Sequence, residues 1–185
     1  MKPVNVPLEK IRLDGGTQHR PLDPEALERY EEMLREGMEP PASKAVYDGT
    51  VYWLWDGFHR YHVVRKVGRT HLLCIVRNGS LRDAQFESFG ANKDHGVPRR
   101  RGVVIAIIKK MLLDKEWSAL SQGVIAAHVG VSAQYVSKVK ATINQVDSQP
   151  GLAGSKTAIR TGRPDDVPMS SGQNGDICPG GSGTT

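Results

Sequence analysis

The chain has 185 residues, 38% of them apolar and 24% charged, with 25 Lys+Arg against 20 Asp+Glu. That length suits one domain of ordinary size plus a small second module. It excludes a membrane-spanning class, because no apolar run reaches the roughly 20 residues a spanning helix needs, and Met1-Lys2-Pro3-Val4 is not a signal peptide.

Reading from the N-terminus, Thr17-Gln18-His19-Arg20-Pro21 leads into Asp23-Pro24, an N-cap followed by proline at the first helical position. A helix is predicted from there. Leu27, Tyr30, Met33 and Leu34 recur at helical spacing, and Gly37 with Pro40-Pro41 ends the element. Two strands, Ser43 to Tyr47 and Val51 to Trp55, flank Asp48-Gly49, the strongest short-range hairpin signal. Asp56-Gly57 is turn chemistry, Phe58 to Val67 reads as a helix closed by Gly68, and His71 to Val76 reads as a strand. The turn therefore delivers His59 and Arg60 to a helix N-terminus, where unpaired N–H groups and the dipole favour phosphate. A guanidinium there adds bidentate donors. An Arg in a first turn is also commonly a surface charge; on the phosphate reading Arg60→Ala is expected to weaken phosphate binding while leaving the fold intact, and if no phosphate ligand binds, Arg60 is structural.

Charge is unevenly distributed along the chain. Residues 1–96 carry 14 basic and 14 acidic side chains, whereas 97–146 carry 8 basic and 2 acidic. A local excess of this kind is what a phosphate-contacting face needs. Within that module Gly102 to Lys115 is apolar nearly throughout and is expected to be a core helix. The run from Ser121 to Lys140 fits a helix-turn-helix. Ala126 is small where two helices cross, Gly130 lies in the turn, Ser132 caps the second helix, and Val136 with Val139 packs on Ile125 and Val129. Ser132, Ala133, Gln134, Ser137, Lys138 and Lys140 are then the candidate DNA-contacting residues of the second helix, with Arg99, Arg100 and Arg101 as additional phosphate ligands. A plain helical hairpin is the bland alternative.

Taken together, Val4-Asn5-Val6-Pro7-Leu8, Gln18-x-Arg20, the Asp-Pro helix, the hairpin, Asp56-Gly57-x-His59-Arg60 and His71 to Val76 resemble the ParB N-terminal domain, the ParB/sulfiredoxin fold. The resemblance covers about residues 1–96, and with the helix-turn-helix it extends to about 145, as in a phage, plasmid and mobile-element branch of ParB-like proteins. It implies a small α/β domain with a nucleotide pocket, holding CTP or ATP with Mg2+. Gly57 and Arg60 match the phosphate loop, Gln18 and Arg20 the Gln-x-Arg box, and Asn92 the Asn of a third motif. Asp56, His59 and His95 complete the expected nucleotide site. The family reads Gly-Glu-Arg-Arg where this chain has Gly57-Phe58-His59-Arg60, and Ala91 and His95 replace a Glu and an Arg of the third motif. Sulfiredoxins place a Cys where this chain has Phe58, so sulfinic acid reduction is not expected.

The predicted architecture is thus an α/β domain over 1–96, an all-helical DNA-binding module over 97–146, and a disordered Gly/Ser/Pro-rich tail over 147–185. The expected function is DNA binding in partition or transcriptional regulation of a mobile element, as a homodimer on double-stranded DNA with a nucleoside triphosphate at the front. The alternative is a nucleotide-dependent enzyme, a kinase or nuclease, on the same pocket, with Asp56, His59 and Arg60 as working groups. No Walker loop, nucleophile elbow or dinucleotide fingerprint is present. The histidines lack metal-ligand spacing beyond His59-x-x-His62, so no metal site is expected. Cys74 and Cys178 are not expected to pair, which suits a cytoplasmic setting.

Overall fold

Local signals set most element boundaries. The computed structural model describes residues 2–91 and 99–147, which belong to one compact unit. Asp23 accepts a hydrogen bond from the Glu25 backbone and starts α1 (Pro24–Arg35). Strands β3 (Ser43–Tyr47) and β4 (Tyr52–Asp56) form the expected hairpin, with Tyr47 opposite Tyr52. The Asp48 carboxylate pins that turn by accepting from the Thr50 and Val51 amides and from the Trp53 indole. Helix α2 (Phe58–Lys66) begins at Gly57, and Gly68 takes a positive φ just beyond its end.

Strands β1 (Val4–Pro7), β2 (Ile11–Arg12) and β5 (His71–Asn78) complete a five-stranded sheet of order β1-β5-β3-β4-β2. β3 runs parallel to β5 and β2 parallel to β4, while the β1–β5 and β3–β4 pairs are antiparallel. A first apolar cluster joins Val6, Ile11 and Leu54 of the sheet to Leu34 of α1 and to Phe58, Val63 and Val64 of α2.

Helix α3 (Leu81–Gly90) was not among the predicted elements. A reciprocal capping box marks its start, Ser80 accepting from the Asp83 amide and Asp83 accepting from the Ser80 amide. α3 buries Phe89 in a second apolar cluster with Ile108 and Met111 of α4 (Arg101–Leu113), Trp117, Ile125 and Val129 of α5 (Gln122–Val129), and Val136 and Val139 of α6 (Ala133–Asp147). The last helix before residue 96 thus belongs to the core of the helical half. Arg82 of α3 strengthens the joint, lying 3.7 Å over the Trp117 ring and bonding Asp114 and Glu116.

The expected core helix is corrected in one respect. α4 is one-sided, burying Ile107, Ile108 and Met111 while Arg101, Ala106 and Lys110 face solvent and Leu113 is 68% exposed. Helices α5 and α6 meet at Gly130-Val131-Ser132. Gly130 is left-handed, its N–H and that of Val131 both reach the Ala126 carbonyl, and Ser132 accepts from the Tyr135 amide. Among the described residues no helix is long and apolar enough to cross a membrane. The segment expected to be disordered lies, apart from Asp147, outside the described residues.

Candidate functional site

A cavity of about 350 Å³ opens where the Thr17–Arg20 loop, α1, the β4–α2 turn, the end of α3 and the start of α4 converge. Gln18, Arg20, Asp56, Gly57, His59 and Arg60, singled out from the sequence, all line it. So do His19, Arg29, Tyr30 and Trp55 from the α/β half, and Arg99, Val103 and Ile107 from the helical half. Asn92 and His95 lie outside the described residues.

Gly57 occupies φ +99, a conformation L side chains rarely adopt, and a Cβ there would stand 2.3 Å from Ser43 Oγ. Only glycine lets β4 pass into α2 with this close approach to β3. Beneath it, the Ser43 hydroxyl is buried and has no hydrogen-bond partner among the described residues.

Arg60 departs from its sequence expectation. It is 8% exposed, Nη1 donates to the carbonyls of Pro41 and Ala42 at 2.7 Å each, and Nη2 stands 3.3 Å from the Asp56 carboxylate. The side chain lines the cavity, but it also holds the loop before β3 against α2. Its removal is expected to destabilise the fold, because it would strip two carbonyls and a carboxylate of their partner.

His59 is similarly engaged. The Asp23 backbone N–H donates to its Nε2 at 2.8 Å, joining the starts of α1 and α2. That bond requires an unprotonated Nε2. Burial lowers the His59 pKa, and the charge of Arg20 lowers it further.

His19, which sequence reasoning passed over as the variable position of Gln-x-Arg, is fixed by α3. Ser88 Oγ donates to the Gln85 carbonyl and lies 2.8 Å from His19 Nε2, so that nitrogen carries the proton and donates to Ser88. Burial, with the charges of Lys110 and Arg99, brings its pKa down to about 4. The same loop is latched by Gln85 Nε2 on the Gly15 carbonyl, Lys110 Nζ on the Gly16 carbonyl and Thr17 on Leu54.

Arg99 sits apart from Arg100 and Arg101. Half-buried, it donates to the carbonyls of Phe89 and Val129 near the C-terminal ends of α3 and α5. Cations are favoured at such ends. Burial and the nearby Arg20 lower its pKa.

The lining thus includes four arginines, Arg20, Arg29, Arg60 and Arg99, and one carboxylate residue, Asp56, which Arg60 already engages. A polyanion fits such a cavity. Magnesium wants several oxygen ligands near octahedral geometry, and the described lining does not fit a protein-held Mg2+. Among the described residues no cluster of three or more His, Cys, Asp or Glu could hold a metal ion.

In the helical half, Ser132, Ala133, Gln134, Ser137, Lys138 and Lys140 are exposed, as are Arg100 and Arg101. Arg101 shares a shallow depression with Val104, Val131, Ser132 and Tyr135, which places its charge beside the start of α6.

No family model matches the chain. No curated protein matches it either. Among solved structures, a sulfiredoxin from Arabidopsis thaliana is 25% identical, with a TM-score of 0.41, covering 45% of this chain and 97% of that one. A C-terminally truncated chromosome-partitioning protein ParB from Caulobacter crescentus, complexed with CTP-gamma-S, is 15% identical with a TM-score of 0.44, covering 78% of this chain and 79% of that one. The same truncated ParB complexed to the centromeric parS site is 14% identical, with a TM-score of 0.55, covering 78% of this chain and 75% of that one. On that last match, the chain has a mixed α/β fold like that of the ParB N-terminal domain.

Proposed function

We propose that this chain is a ParB-like DNA-binding protein that holds a nucleoside triphosphate, CTP or ATP, in the cavity at its front. It serves partition or transcriptional regulation of a plasmid, phage or other mobile element and acts as a homodimer. The observation that carries the nucleotide half is the cavity's charge: arginines from four parts of the chain line it together with the N-terminus of α2, and its one carboxylate is already engaged. Tyr30 and Trp55 on the same walls suit an aromatic base.

The DNA half rests on the α5–α6 pair, read as a helix-turn-helix with α6 as the recognition helix. Its exposed Gln134, Ser137 and Lys138 suit the major groove, Gln134 as a bidentate partner for adenine. Arg100, Arg101 and Lys140 supply phosphate contacts. The ParB solved with parS DNA supports this reading at the level of the fold.

Two measurements test it. Selection from a random duplex pool is expected to enrich a short motif repeated about one helical turn apart. Calorimetry with CTP, ATP and GTP, with and without the selected DNA, is expected to find a triphosphate bound. A pool with no enriched motif refutes the DNA half, and absence of heat at millimolar nucleotide refutes the other.

A further inference from the structure

We propose that Arg29 and Arg99 are ligands for the anionic end of the cavity's occupant, so that an oligophosphate chain is held jointly by the α/β half and the head of the helical half. The proposal rests on the nucleotide reading above and names the residues and the charge class that the reading leaves open.

Elimination carries the first step. The motif side chains at the start of α2 are already committed: His59 Nε2 accepts from the Asp23 amide, and Arg60 is spread over the Pro41 and Ala42 carbonyls and Asp56. Neither can turn to a ligand without giving up bonds that hold α1 and β3 in place. The N–H groups of the helix N-terminus remain, and further charge must come from other walls.

Two arginines outside the motif supply it. Arg29 lines the cavity from α1 and is exposed, with its guanidinium 6.0 Å from the centre of the Tyr30 ring. Arg99 uses two of its five N–H donors on the Phe89 and Val129 carbonyls in the described bonds, which aim the guanidinium while leaving capacity for an anion. Arg20 lines the same cavity, and its charge bears on both His59 and Arg99. Cationic side chains that share one cavity favour an anion placed among them.

The test is calorimetry on the full chain with inorganic tripolyphosphate, pyrophosphate and orthophosphate, alongside nucleoside triphosphates. Affinity is expected to rise with chain length, and Arg29→Ala and Arg99→Lys are each expected to weaken tripolyphosphate roughly tenfold or more, as loss of a charge-assisted or forked contact does. Arg29→Ala should keep the wild-type melting temperature, since its side chain is exposed; if Arg99→Lys fails to fold, Arg29→Ala decides. Should both variants bind nucleoside triphosphates and tripolyphosphate as wild type does, the proposal is overturned while the nucleotide reading stands. Binding of tripolyphosphate alone, sensitive to both substitutions, supports the proposal and overturns the nucleotide reading. No heat from any anion overturns both.

Discussion

Arg60→Ala separates a scaffold role from a ligand role at the residue the motif makes most conspicuous. The guanidinium is 8% exposed and bonds two carbonyls at 2.7 Å, with a carboxylate 3.3 Å away. Breaking a buried pair by removing one partner costs roughly 3–5 kcal/mol. Asp56 retains 19% side-chain exposure and so recovers some hydration, which favours the lower end of that range. Against a total stability of roughly 5–15 kcal/mol, a loss of about 3 kcal/mol leaves a variant that folds with little margin. With a urea slope of about 2 kcal/mol per molar, the unfolding midpoint is expected to fall by about 1.5 M. Tryptophan fluorescence can follow it, since Trp55 lines the same cavity. Arg60→Lys keeps the charge and loses the fork, and it is expected to fall between the two. A midpoint within about 0.3 M of wild type, at unchanged slope, would refute the scaffold argument and return Arg60 to the surface role its sequence position suggests.

Gly57→Ala is expected to cost about 1–2 kcal/mol for the left-handed backbone and a further roughly 1–3 kcal/mol for overpacking against Ser43. Ser43→Gly in the same chain should return the second share and not the first, a non-additivity that a double-mutant cycle reads directly. For His19 the folded pKa of about 4 lies below the ordinary 6.5, so the unfolded chain takes up the proton first and stability falls as pH drops from 6.5 toward 4. Denaturation midpoints measured across that window should drop less steeply in His19→Gln, and equal slopes would sink the assignment. Gln134→Ala is expected to relax preference at one base pair by roughly 1–3 kcal/mol, whereas Arg101→Ala should weaken all sequences alike and flatten the salt dependence. A Gln134→Ala protein that selects the same motif as wild type would move base reading elsewhere.

Much of the α/β half was legible because its signals are local. Asp23-Pro24, Asp48-Gly49 and Gly68 each set one boundary through backbone chemistry that needs no tertiary context. Helix α3 was missed although Ser80-x-x-Asp83 is a capping signature, because its apolar residues show no single amphipathic stripe. The strand order was illegible, since β2 has only two residues and the parallel pairs β2–β4 and β3–β5 join segments far apart in the chain. At the site, Gln18, Arg20, Asp56, Gly57, His59 and Arg60 line one cavity, but the bonds that His59 and Arg60 make there were not legible. Whether Arg60 faces a phosphate or the Pro41 carbonyl depends on where another loop runs, and a turn motif does not contain that information. His19 and Arg99 were obscured for the same reason: their partners lie 69 and 30 residues away.

The division of labour around the cavity has a thermodynamic reason. Ordering loose side chains at the moment of binding costs roughly 0.5–1.5 kcal/mol each, and an anion site built from long arginines would lose much of its affinity that way. Here Arg60 ties β3's entry loop to α2, His59 ties α2 to α1, His19 ties the Gln18–Arg20 loop to α3, and Arg99 ties α3 to α5. Each wall is therefore set before any ligand arrives, by polar groups that sit at the cavity without having to surrender their bonds. Such preorganisation makes the motif residues hard to replace even when they touch nothing bound. On the proposed reading, selectivity then falls to residues the motif does not contain: Arg29, Arg99, Tyr30 and Trp55.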